Sequence, residues 1–504
     1  MNTKSKTAPG TYDVAMVGAG MGSLTAAALL ARAGHRVLVC EQYSKPGGFC
    51  HHWDSTVQHQ GKTLQFRFDA GVHDFSGIQQ GGCVHDVTRH LGLQSQLQWM
   101  ALAHAQHRQG LLSPVPRGWT PWVQSLLQQY PADGPGIRAA CEVLRQVYDA
   151  IMTTPDGSVL RPPQTWLGRM RIAARHWRVA RYLTMPIMDM LKAHRLSPEA
   201  SRDLLSLHGY VTHLPEALRV MDYVPLLGYI MHGGGYPLGG SGVVSQLFAD
   251  SIALDGGELR YDVTVQAPVI ERGRVRGLRL ANGESVVAKH VVYGGDTIAL
   301  GRQLLAQGCG SGWAKRLAAQ TPANSMLMLH LGLVGDRLDL PPVIHLEHQG
   351  AGYELVSPSM IDPSAASPGY HTLEVMQLLT PAQAAPWFAD AEQVNPVEQR
   401  HGAEYLQTKR EHTERLLGVV SAVIPDVAER VVCAELGTPI TFRRYGMSTL
   451  GTVYGLPPPF GHHASRTPIN GLYLAGSANL GPGVEAVVLS GIAAAEAVHG
   501  APLL

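Results

Sequence analysis

The stretch from Tyr12 to Glu41 reads YDVAMVGAGMGSLTAAALLARAGHRVLVCE, and its punctuation decides the fold. Val14 to Val17 is a short apolar run suited to a buried parallel strand. Gly18 permits a sharp turn out of it. Gly20 lets the backbone approach a pyrophosphate, whose charge meets the N-terminus of a helix opening at about Met21. The third glycine of a GxGxxG pattern is replaced by Ser23, small enough to keep helix and strand close, and Gly22 beside it adds slack. The segment HRVLVCE is a second strand with Glu41 at its tip and Gln42 just beyond. A carboxylate there accepts hydrogen bonds from a ribose diol and repels a 2′-phosphate, which disfavours NADP. Strand, glycine turn, helix, strand and terminal acid together predict a dinucleotide site.

The residues that follow distinguish FAD from NAD. QYSKPGGFC places Lys45, Gly47 and Gly48 just past the second strand, where flavoproteins bring a second glycine pair near the phosphates. FRFDAGVHDFSG, residues 66–77, has no counterpart in simple NAD domains. Near the other end, TPINGLYLAGSANLGPGVEAVVLSGIAAAEAV (467–498) reads as a strand, a glycine-rich turn and a small-residue helix. Gly476, Ser477, Gly483, Val484 and Glu485 punctuate that turn. In flavoproteins with two dinucleotide folds, this element reaches the ribityl chain and the pyrimidine edge of the flavin. Between the ends, residues 259–296 supply alternating strands, with ERGRV and ANGES as hairpin turns. The FAD domain is therefore expected to be discontinuous.

Composition narrows the surroundings. The chain has 504 residues, 45% apolar and 16% charged, with a formal net charge of +1. That length predicts more than one domain. The near-neutral charge gives no general attraction to nucleic acid, and the low charge content suits a greasy substrate or membrane contact. Six cysteines without a CxxC pair fit reduced thiols in a cytoplasm. The start, MNTKSKTAPG, lacks the apolar core of a signal peptide. No run of about eighteen apolar residues predicts a spanning helix. A cytoplasmic protein, with peripheral membrane contact as an option, is the expectation; nothing in the chain signals an oligomeric state.

Taken together, these motifs resemble the phytoene desaturase group, which includes carotenoid isomerases and retinol saturases. The resemblance rests on the opening dinucleotide motif, on KPGG and FDAGVHDFSG, and on GGGYPLGGSGVVSQLFADSIALDGGELRYDVTV (233–265). It rests too on GTPITFRRYGMSTLGTVYG (437–455). It implies an α/β fold: a Rossmann-like FAD domain from residues 10–95, 230–300 and 425–504. A mixed α+β substrate domain would come from 96–229 and 301–424. It also places the Val263 backbone near the adenine. Ser477 stands where many relatives have an aspartate. Phe49 and Cys50 follow the glycine pair where an arginine is common, and GVEA replaces a usual GVPG. The reaction implied is desaturation, saturation or isomerisation of a hydrophobic polyene by hydride or electron exchange with flavin N5. An oxidase of a smaller amine- or carboxylate-bearing metabolite is the alternative.

Candidate reactive groups are few. His73 follows the glycine loops and titrates near neutral pH, so it could donate or accept a proton beside the flavin. Glu485 falls in the first turn of the last helix, as a base or as a carboxylate favoured by the helix dipole. Arg444 and Tyr445 could hold a polar head group or brace a sheet. The chain has 24 histidines, including His51, His52, His85, His232, His462 and His463, but no HxH or HExxH spacing, so no metal is expected. QTWLGRMRIAARHWRVARYL (164–183) sets Trp166, Met170, Ala173, Ala174 and Trp177 along one helical face and Arg171, Arg175 and Arg178 on another. That apolar face is either core or a membrane-facing surface. The methionines of LTMPIMDMLKAHRL (183–196) either pack a core or line a loose tunnel.

Overall fold

The strand begun by the opening stretch, Thr11–Val17, lies at the centre of a seven-stranded sheet. It pairs in parallel with Val37–Cys40 on one side and with Ser285–Tyr293 on the other. Glu258–Arg260 extends the sheet beyond Val37–Cys40, and Leu472–Leu474 pairs with the far end of Ser285–Tyr293, both in parallel. Val265–Glu271 and Arg274–Leu280 form an antiparallel hairpin against the same long strand. At its turn Arg272 and Gly273 both have positive φ, 49° and 74°, as a two-residue primed turn requires. One sheet thus gathers strands from three parts of the chain in an α/β arrangement. The computed structural model describes residues 11–108, 110–152, 166–175, 177–207, 210–212, 215–309, 311–335, 338–389, 402–458 and 465–504. Gln164, Thr165, His176, His462 and His463 lie outside the described residues.

Two helices cross on one face of this sheet, Met21–Arg32 and Val484–His499. Their contact is backbone to backbone: a Cβ on Gly491 would sit 2.3 Å from the Gly22 carbonyl oxygen. The opposite face is covered by Thr297–Ala306 and Gly312–Ala318, whose Leu300, Leu304, Ala314 and Leu317 pack with Leu38, Val291 and Leu472. Thr297–Ala306 and Gly312–Ala318 therefore lie on the cofactor sheet, although the expected boundary put residues from 301 onward with the substrate domain. Apolar periodicity calls for a partner face without naming which sheet supplies it.

A second seven-stranded sheet runs in the order Val431–Gly437, Ser325–Val334, Tyr370–Leu379, Ala351–Val356, Val343–His348, His104–Arg108, Leu111–Pro114. All its pairings are antiparallel except Val343–His348 with His104–Arg108. Val431–Gly437 falls inside the stretch expected for the FAD domain, yet it pairs with Ser325–Val334. Ser325–Val334, buried along all but its last residue, needs neighbours on both sides, and this strand supplies one. A helical layer between residues 119 and 232 packs around Ile137, Leu144, Val147, Leu191, Tyr223 and Leu227.

The basic segment forms two helices, Trp166–Arg175 and Trp177–Leu183. Its apolar side does not join the core: Trp166 and Trp177 are each 70% exposed and Met170 58%. Arg171, Arg175 and Arg178 are exposed as well, while Val179 is buried. Among the described residues, no helix is long and apolar enough to cross a membrane.

Candidate active site

The glycine turns meet at the carboxyl ends of the parallel strands. Gly18, at φ 86°, donates from its amide to the Cys40 carbonyl at 2.8 Å. The Gly47 amide donates to the Ala19 carbonyl at 2.7 Å, and a Cβ on Gly48 would lie only 3.4 Å from Gly20 Cα. The helix opening at Met21 has Gly20 as its N-cap, with no side-chain cap and no acid in its first turn. Its free amides and dipole are left for an anion. Glu41 ends its strand with one carboxylate oxygen accepting from the Ala19 amide at 2.7 Å and the other from Tyr43 at 2.8 Å. Burial raises its pKa against these two amides. The Val263 amide donates to the Glu41 carbonyl at 2.9 Å, which pins the strand at 258–260 beside the acid.

The C-terminal turn closes on the same place. A Cβ on Gly22 would lie 2.8 Å from the Gly476 nitrogen, so this glycine is demanded by a close approach rather than by slack. Ser23 Oγ is buried without a partner, beside the backbone of Gly294. The Gly476 amide donates to Ser490 Oγ at 2.7 Å, and Ser477 opens a short helix, Ser477–Leu480. Gly483, at φ 94°, caps the last helix. A cavity of about 2050 Å³ joins these elements. Gly18, Gly20, Met21, Gly22, Ser23, Glu41, Gln42, Gly47, Gly48 and Val263 line one end, with Gly476, Ser477, Gly483, Val484 and Glu485 beside them.

Lys45 and Arg444 do not line the cavity. Lys45 Nζ donates to the His52 carbonyl at 3.2 Å, and the Arg444 guanidinium lies 5.5 Å over the Tyr445 ring. The RY pair ends a helix, Pro439–Gly446, instead of bracing a sheet. Tyr445 reaches the cavity at its nucleotide end, where its carbonyl accepts from Gln42 and its ring meets Tyr43 edge-on at 5.2 Å. It thus packs beside Gln42 and Tyr43, next to the acid at the strand tip.

His73 and Glu485 line the cavity where the 66–77 loop passes the C-terminal turn. His73 Nε2 is bonded to Glu374, whose other oxygen accepts from the Asp69 amide at 2.7 Å. Burial opposes charge on His73, but Glu374 overcomes it and pushes the imidazole up to about 9. It is an imidazolium in an ion pair, not a group poised near neutrality. Donor atoms of Asp69, His73 and Glu374 lie within 4.8 Å of one another. Asp69 is spent on Ser241 and Tyr236, so the trio is a closed hydrogen-bonded lock. Glu485 lies against Gly77, where a Cβ would come within 3.0 Å of its carboxylate. Burial raises the Glu485 carboxyl and a hydrogen bond from Ser76 opposes the rise.

Sequence reading missed a polar wall. Asp74, His104, Tyr210, His345 and Glu354 all line the cavity. His345 and Glu354 face each other across neighbouring strands, and His104 comes from a third. Alternation in VIHLEHQGAGYELV hints at the strands, but only their register puts these side chains together.

A sequence profile of the flavin-containing amine oxidoreductases matches residues 24–499. The chain belongs to that family. It is 25% identical to a chloroplastic prolycopene isomerase of Daucus carota, over 97% of this chain and 80% of that one. It is 24% identical to the human all-trans-retinol 13,14-reductase, over 93% and 82%. Cyclohexylamine oxidase from Brevibacterium oxydans shares the fold, with a TM-score of 0.58 at 17% identity over 97% and 99% of the two chains. The protein is an FAD-dependent oxidoreductase. The cradle fits that cofactor: bare glycine backbone at 18, 20, 47 and 48, an uncapped helix end and an acid at the strand tip. FAD would supply the two-electron chemistry when bound, and the residues of the cradle would hold it.

Proposed function

We propose that this family member desaturates, saturates or isomerises an elongated, hydrophobic isoprenoid polyene. The cavity carries the reading. At about 2050 Å³ it is roughly twice the size of an ordinary small-molecule pocket, enough for a dinucleotide and a long substrate together. Beyond the cradle it is lined by Leu126, Ile151, Met152, Leu183, Leu207 and Ile230. Prolycopene and retinol, named in two relatives, are both polyenes. The exposed tryptophans and arginines of 166–181 support docking on an anionic membrane, where such a substrate dissolves. Met170, on the exposed pair of helices, also borders the cavity.

A second reading is favoured by one observation: Asp74, Glu354 and Glu485 put three carboxylates on the cavity lining. Their complement is an amine, whereas Arg117 and Arg202 on the same lining suit a carboxylate. One experiment separates the two. FAD-loaded protein, oxidised in one series and reduced with dithionite in another, is mixed anaerobically with retinol, with an acyclic carotene or with cyclohexylamine while flavin absorbance is followed, and the polyenes are then chromatographed for isomers and saturated products. Bleaching of oxidised flavin, recolouring of reduced flavin or isomerisation with a polyene is the expected result; bleaching by the amine alone would refute the polyene reading.

A further inference from the structure

Asp74, His104, Tyr210, His345 and Glu354 come from separate stretches of chain, yet their atoms form an unbroken series. Asp74 Oδ2 stands 3.2 Å from His104 Nε2. His104 Nδ1 lies 3.2 Å from His345 Nε2, with the two rings 15° from parallel. His345 Nδ1 is 3.2 Å from the Tyr210 hydroxyl and 3.4 Å from Glu354 Oε2. Tyr210 donates to that same Glu354 oxygen.

A neutral imidazole donates from one nitrogen and accepts at the other. With Nε2 protonated on both rings, His104 donates to Asp74 and His345 donates to His104. His345 Nδ1 then accepts from the Glu354 carboxyl. Moving one proton along every bond leaves Glu354 ionised, both rings protonated on Nδ1 and Asp74 neutral. The series has two complementary arrangements that differ by one proton carried from end to end. Burial and neighbouring charges set its bias. Burial raises Glu354 to about 7, with His73 and His104 opposing and Asp74 reinforcing. Burial, helped by His104 and Arg108, holds His345 down at about 3, so that inner ring stays neutral. Burial opposes charge on His104, but Asp74 raises it; Arg117 lowers it. Burial raises the Tyr454 hydroxyl, and the Glu354 charge adds to that rise.

We infer that Glu354, His345, His104 and Asp74 are a proton relay in the cavity wall, with Tyr210 bracing Glu354, in which Glu354 exchanges a proton with the substrate and Asp74 takes the far end. The inference rests on the reaction proposed above. In a desaturation, one substrate C–H bond breaks with its electron pair leaving as hydride to bound FAD. The neighbouring C–H bond breaks the other way: its electron pair becomes the new double bond and its proton goes to the Glu354 carboxylate. Glu354 hands a proton to His345 Nδ1, His345 Nε2 to His104 Nδ1, and His104 Nε2 to Asp74. Saturation runs the same transfers in reverse.

Two measurements on FAD-loaded protein test this. In protein labelled with ¹⁵N-histidine, the His104 and His345 tautomers should shift with pH about one shared midpoint, and Glu354→Gln should displace that midpoint by about one pH unit. Rings that respond separately and ignore Glu354→Gln would overturn the relay. His345→Gln keeps a polar side chain that both donates and accepts but cannot tautomerise. With a polyene that the wild type turns over, it should slow flavin reduction about a hundredfold, the low end of general acid–base catalysis, and flatten the pH profile. An unchanged rate and profile would refute the proposal, whereas a merely structural role would be rescued by Gln. If wild type acts on no polyene, the reaction reading fails, and the tautomer titration alone decides the relay.

Discussion

Glu354 sits in the strand Ala351–Val356 directly across from His345, and burial pushes its carboxyl from an ordinary 4.5 up to about 7. Between those values the native chain holds a proton that the unfolded chain has released. Stability therefore falls as pH rises through that window. The rise corresponds to about 3 kcal/mol, all of it lost above pH 7. Glu354→Gln cannot ionise, so it should melt above the wild type at about pH 8 and together with it at about pH 4.5. Calorimetry at the two pH values checks this, and equal melting at both would mean that Glu354 ionises without penalty. The same variant should be more stable and less active, the trade expected of a group kept for chemistry. Why some residues were legible and these were not is a matter of distance along the chain. Gly18, Gly20 and Glu41 act within thirty positions of one another, and each can be read from its neighbours. Asp74, His104, Tyr210, His345 and Glu354 meet only through strand register, which a single sequence does not carry.

At the scale of elements, the helices Met21–Arg32 and Val484–His499 cross so closely that Gly22 and Gly491 leave no room for side chains. The dinucleotide pattern placed the first helix correctly but gave Gly22 no partner, because that partner, Gly476, lies more than four hundred positions away. Gly22→Val would drive a branched side chain into the Gly476 amide. Overpacking of this kind costs about 1–3 kcal/mol, and here it displaces one cradle wall from the other. The expected outcome is folded protein that retains at most about a tenth of its flavin, read as visible absorbance per chain; full retention would count against the shared wall. Gly418→Ala, in the helix Ala403–Val420, serves as the control, since nothing lies within 4 Å of its Cβ position. The paired helices Trp166–Arg175 and Trp177–Leu183 follow the opposite logic, exposing apolar surface that a packed element would bury. Replacing Trp166 and Trp177 by serine should weaken binding to vesicles of anionic lipid about tenfold or more, measured by co-sedimentation, without lowering the melting temperature. A fall in stability instead would assign both rings to packing.

Across the whole molecule, the two sheets are joined through Glu374. It belongs to Tyr370–Leu379 of the second sheet and is fully buried, yet its oxygens serve the Asp69 amide, at the end of the strand Lys62–Asp69, and His73 in the loop that follows. Asp69 in turn accepts from Ser241 and Tyr236, at the entry to the helix Gly242–Leu254 of the FAD domain. Other segments were placed by packing that the sequence does not mark: Gly312–Ala318 and Val431–Gly437 each sit with the sheet that covers their apolar face, and no composition change marks the crossing. It also gives the fold a second pH dependence. His73 rises from 6.5 to about 9 because Glu374 outweighs the burial that opposes its charge. The stabilisation is complete below pH 6.5 and disappears as pH climbs through about 9. Glu374→Gln removes the charge that raises His73, so this slope should vanish. The variant should lose about 3 kcal/mol relative to wild type at about pH 6 and much less at about pH 9.5, read from urea midpoints of the FAD-loaded protein. A constant deficit at both pH values would mean that Glu374 acts only through packing and the Asp69 amide. A deficit confined to low pH would make the imidazolium–carboxylate pair the joint between cofactor sheet and substrate sheet.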